Sequence, residues 1–65
     1  MKPETNELIR NWFYHSCLNH QTFKNLNYQN QYNVRNLLAG FLQACETFKH
    51  ITRDEGAMLF KELTS

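Results

Sequence analysis

Trp12, Phe13 and Tyr14 stand in a row inside a segment that reads as a helix. Successive helical residues point about 100° apart around the axis. Three consecutive large aromatics therefore cannot all enter one core. The chain has 65 residues, and a domain of that size buries only about 60% of its unfolded surface. At least one of the three rings is expected to lie exposed or against another chain. Small scaffolds commonly add a disulfide, a metal or a second copy to reach stability.

The first helix is expected from about Pro3 to His20. Pro3 suits the first turn, and Glu4 and Glu7 lie near the positive end of the helix dipole. Leu8, Ile9, Trp12, Phe13, Ser16 and His20 fall on one stripe, read as the core face. Tyr14 and Leu18 are spaced i, i+4 on the opposite side and form a second apolar patch. From Asn25 to Asn33 amides crowd together, which marks a connection or a frayed helix start, because Asn competes with helical hydrogen bonding. Within the connection, Thr22 is placed to cap a short turn that carries Phe23 and Leu26 under the core.

The second helix, from about Asn30 to His50, separates most cleanly. Val34, Leu37, Leu38, Phe41, Leu42, Ala44, Cys45 and Phe48 lie on one face, and Arg35, Asn36, Gln43, Glu46 and Thr47 on the other. A third helix, over about 53–63, follows Thr52-Arg53-Asp54-Glu55, which has the capping-box pattern with Ile51 as a hydrophobic staple. Gly56, Leu59, Phe60 and Leu63 share its apolar face. Gly56 in that stripe points to close helix approach; Gly40 borders the second stripe and fits close approach or simple tolerance equally. One Pro and two Gly also favour helix over a turn-rich β fold. The expected fold is all-α: a three-helix unit in one domain over 1–65, built as a long helical hairpin plus a short C-terminal helix and dimerising into a helical bundle.

The net charge is +1, with seven basic and six acidic residues scattered along the chain. That gives no broad pull toward nucleic acid or anionic lipid. No apolar run follows Met1-Lys2-Pro3-Glu4, so neither a signal peptide nor a membrane span is expected. Two cysteines are too few for a secreted disulfide framework, which favours a reducing, cytoplasmic setting.

Chemistry-bearing patterns are sparse. Cys17, His20, Cys45 and His50 could form a tetrahedral zinc site, but a spacing of five between Cys45 and His50 is out of helical phase. A buried thiol at Cys45 and a histidine at the core edge or the helix end explain them as well. A cysteine nucleophile would need a base and a cleft, and no oxyanion loop accompanies His15, Cys17 and His20. Asp54 and Glu55 are accounted for as cap and dipole residues. No enzyme activity and no cofactor are therefore expected.

Two binding readings remain. In the first, the chain is a small non-catalytic module that binds protein, as a homodimer, through Trp12, Tyr14, Leu18 and Met58. In the second, Tyr28, Tyr32, Arg35, Asn36 and Gln43 share the polar face of the second helix. Such side chains stack on bases or bond to their edges. The second and third helices resemble a helix-turn-helix in outline. Against this, the start of the third helix carries Asp54 and Glu55, which phosphates repel. The Tyr28, Tyr32, Arg35 face fits a protein partner equally well.

Overall fold

The computed structural model describes residues 1–65 and is all-helical, with three α-helices and no strand. Helix α1 spans Pro3–Trp12 and runs on into a π-helical turn, Phe13–Cys17. A single 3-10 turn follows at Phe23–Asn25, then α2 over Tyr28–Thr47 and α3 over Arg53–Leu63.

The π turn changes the reading of the first helix. The Leu18 N–H donates to the Phe13 carbonyl (3.0 Å), five residues back rather than four. Taking in one extra residue turns everything beyond it by about 100°. Leu18, expected on the outer side beside Tyr14, is thereby carried into the core and is only 6% exposed. Asn19 and His20 then adopt left-handed conformations (φ 52° and 66°). The helix ends there, short of the expected His20, and Ser16 and His20 stay exposed rather than joining the core stripe.

The second helix starts earlier and stops earlier than its pattern implied. The Asn27 side chain accepts from the Asn30 N–H (2.8 Å), an N-cap that places the start at Tyr28. At the far end the His50 N–H donates to the Cys45 carbonyl (2.9 Å) and the Lys49 N–H to the Glu46 carbonyl (3.0 Å). This is a Schellman stop, with Lys49 at φ 62° in the position glycine usually takes. The Gln31 amide donates to the carbonyls of Phe23 (3.3 Å) and Leu26 (3.0 Å) and so ties the connection to α2. The capping box of α3 forms as its sequence implies: Thr52 accepts from the Glu55 N–H (3.2 Å), and Glu55 accepts from the Thr52 N–H (2.8 Å).

Nine apolar side chains make the core: Ile9, Phe13, Leu18, Phe23, Val34, Leu38, Leu42, Ile51 and Leu59. The closest helix pair is α2 with α3, whereas α1 meets α2 mainly through large side chains. The expected hairpin of the first two helices is thus the looser pairing. Gly56 explains the tight one, because a Cβ there would come within 3.0 Å of the Glu46 carboxylate and 3.5 Å of Ile51. Gly40 has nothing within 4 Å of such a Cβ and is a tolerated glycine. An ion pair from Arg10 to Glu62 (2.9 Å) links α1 to α3.

A twenty-residue helix is about 30 Å long, and the molecule measures 32 × 18 × 16 Å. Helix α2 therefore runs its whole length, while α1 and α3 are each too short to cover it. Part of the wide apolar face of α2 is left in water.

Candidate interaction face

The uncovered part of α2 is the most distinctive surface of the molecule. The apolar residues of α2 span an arc of about 160° around the helix. Val34, Leu38 and Leu42, on one flank, enter the core. Leu37, Phe41, Ala44 and Phe48 form the other flank. Leu37 is 54% exposed and Phe48 is 73% exposed. Across from them on α1, Leu8 is 69% exposed. All three were expected inside; α1 and α3 are too short to cover them.

Leu8, Phe41, Ala44 and Phe48 line a groove of about 430 Å³ together with Thr5, Cys45 and His50, and Leu37 lies beyond it along α2. Beside it the Trp12 ring stacks on Phe41, with centroids 3.9 Å apart and planes 15° from parallel. That stack holds α1 against α2 and gives the apolar face a rigid floor. Burial pushes the Cys45 thiol pKa upward, so it stays protonated and adds apolar surface rather than a nucleophile. Burial raises Cys17 in the same way.

The first expected surface is dispersed. Leu18 is in the core, Trp12 is half-buried against Phe41, and Tyr14 and Met58 remain exposed. Tyr14 packs edge-on against His15 and His20 rather than pairing with Leu18. On the polar face of α2, Tyr28, Tyr32, Arg35, Asn36 and Gln43 are all exposed. The Arg35 guanidinium lies 5.1 Å from the Phe23 ring centroid, a cation–π contact within the chain. Of the four proposed zinc ligands, Cys45 and His50 line the apolar groove and His20 turns toward His15. Nowhere does the structure bring three His, Cys, Asp or Glu side chains together as a metal site.

The pattern of α2 did carry a sign of the exposed flank. Eight apolar residues over 160° are more than two short helices can cover, so width was the signal and the core assignment overran it. No helix is long and apolar enough to cross a membrane. Comparison with protein-family models, with curated proteins and with solved structures finds no match to this chain.

Proposed function

We propose that this chain is a non-catalytic protein-interaction module that acts by occupancy through the Leu8, Leu37, Phe41, Phe48 face, and that its first occupant is a second copy of itself. The observation that carries the reading is Leu8 and Phe48 exposed across one apolar groove, with Leu37 exposed about 16 Å further along the same flank of α2 and the Trp12–Phe41 stack between them. Isolated exposed apolar residues are ordinary, but a contiguous patch rimmed by polar groups marks an interaction site. A two-fold dimer would set each copy's face on the other's.

The energetics are compatible with at most a weak, reversible dimer. Leu8, Leu37 and Phe48 together leave about two side chains' worth of apolar surface in water. Burying it yields roughly 4 kcal/mol per copy at about 2 kcal/mol per side chain. Two copies thus gain roughly 8 kcal/mol, inside the range of about 4–15 kcal/mol that association costs. Gain and cost are of similar size, so self-association is expected to be concentration-dependent rather than permanent.

Light scattering on a size-exclusion column, at two protein concentrations, tests this. The expected result is a dimer-weighted mass that falls on dilution. Leu37→Glu with Phe48→Glu is expected to run as a folded monomer by circular dichroism. A wild-type chain that stays monomeric at the higher concentration overturns self-association. The exposed Tyr28 and Tyr32 on α2 support nucleic-acid binding as a second reading. It predicts an oligonucleotide shift that Tyr32→Ala abolishes and the Leu37/Phe48 variant retains.

A further inference from the structure

The π turn that follows α1 and the reversal after it bring two imidazoles within hydrogen-bond distance. His15 Nδ1 lies 3.3 Å from His20 Nε2, with ring centroids 4.5 Å apart. Tyr14 stands edge-on to both rings, at 5.2 Å from His15 and 5.3 Å from His20. Its hydroxyl donates to the His20 carbonyl (3.5 Å).

This pairing is made by the backbone. On a continuous α-helix, positions five apart point about 140° away from each other. Here His15 sits in the π turn, and the chain doubles back through left-handed Asn19 and His20. The His20 N–H is anchored on the Tyr14 carbonyl (3.1 Å). The left-handed conformation is unfavourable for residues other than glycine, with Asn the main exception. Asn19 tolerates that conformation, so the strained residue is His20, the one whose ring is paired.

We propose that His15 Nδ1 and His20 Nε2 bind one zinc ion, with water in the remaining positions. Zinc–nitrogen bonds of about 2.0–2.1 Å in a tetrahedron set two ligand nitrogens roughly 3.3–3.4 Å apart. A square-planar site with bonds of about 2.0 Å would need roughly 2.8 Å. The observed 3.3 Å is the length of the hydrogen bond between the two rings, and it equals the tetrahedral edge, so zinc can replace the bridging proton without moving the nitrogens apart. Both rings are exposed, so they are free to turn their lone pairs onto a common point. In the metal-free chain one ring N–H lies between the two nitrogens. On binding, that proton moves to the far nitrogen of the same ring, leaving both facing nitrogens unprotonated with no net proton released from neutral rings. Acid opposes binding, because an imidazolium has no lone pair to offer. This set differs from the Cys17, His20, Cys45, His50 arrangement and involves neither thiol. The ion would clamp the last turn of α1 to the residues that terminate it.

The test is zinc chloride titrated into the full chain, followed by calorimetry and by the imidazole proton signals. One zinc per chain is expected, with the His15 and His20 ring signals shifting and the His50 signals staying in place. His15→Ala and His20→Ala are each expected to weaken binding at least tenfold, and His50→Ala to leave it unchanged. Zinc is also expected to raise the melting temperature of the wild type and not of either variant. Two results overturn the proposal. One is ring signals of His15 and His20 that do not move under excess zinc. The other is binding that survives both histidine variants and disappears in Cys17→Ser or Cys45→Ser. The ring signals are read on the wild type, so a variant that folded poorly would not remove the test.

Discussion

Truncating Leu18 to alanine probes the π turn directly. With the turn in place, Leu18 is 6% exposed and shares a core with Phe13, Phe23 and Leu38. A buried Leu→Ala substitution costs about 2–5 kcal/mol, from lost transfer energy and the cavity left behind. A 65-residue chain has roughly 3–10 kcal/mol of stability in all, so the variant loses a large share of it. In urea, with a slope near 1 kcal/mol/M for a domain this small, the midpoint falls by roughly 2 M or more. The melting temperature drops by about 10 °C or more. On an uninterrupted α-helix, Leu18 would sit one turn beyond Tyr14 on the outer side. The substitution would then cost no more than Tyr14→Ala, which removes a 44% exposed ring at roughly 1 kcal/mol. The assay is urea unfolding followed by circular dichroism and by Trp12 fluorescence. Trp12 reports the separation of α1 from α2 because it stacks on Phe41. A Leu18→Ala midpoint within about 1 M of wild type, at unchanged slope, would refute the π register and the core built on it.

Three further outcomes follow from local geometry. Lys49→Gly relieves the left-handed residue in the Schellman stop and is expected to stabilise the chain by about 1 kcal/mol, read as a higher urea midpoint. Gly40→Ala places a methyl group in open space on α2 and is expected to add about 0.5–1 kcal/mol by helix propensity alone. The third concerns pH. The Met1 ammonium, foremost, and the Thr52 N–H hold the Glu55 carboxyl below its ordinary pKa. A depressed folded-state value means stabilisation that is present above the ordinary carboxylate range and lost as pH falls through the depressed one. Glu55→Gln keeps the reach of the cap but not the charge, so its stability deficit against wild type is expected at neutral pH and to shrink in acid.

Local signals in the chain were readable wherever one residue type does one job. The Thr52–Glu55 box set the start of α3, the phase of Val34, Leu38 and Leu42 set the inner face of α2, and Phe23 closed the core from its short turn. The π turn had no such mark. It adds a single residue to one hydrogen-bonded ring, and Phe13–Cys17 has no glycine, proline or cap to announce it. Asn19 was the one hint, since Asn tolerates the left-handed conformation better than most residues. Missing that turn put Leu18 outside and joined it to Tyr14 as an interface. The His15–His20 pair was hidden for the same reason, because only the backbone reversal brings residues five apart together.

The outer flank of α2 failed to be read for a different reason, which concerns length rather than phase. Periodicity reports which residues share a side of a helix, not how much neighbouring chain is available to cover that side. Helix α2 runs the length of the molecule, while α1 and α3 are shorter and spend their contacts on Leu38 and its neighbours in the core. What remains exposed, Leu37 and Phe48, sits on the same rigid helix as the core, with Leu8 facing it from α1. A partner at this face, as proposed, would meet a surface already ordered and would lose little conformational entropy there on binding. It also separates the two roles of α2. Phe48 is mostly in water, so losing its ring costs the folded monomer little and costs association much more, whereas Leu38, fully buried, does the reverse. On the outer flank, Phe41 stacks on Trp12 and so belongs with the fold, whereas Leu37 and Phe48 are the positions where a substitution is expected to spare the fold and weaken the proposed association.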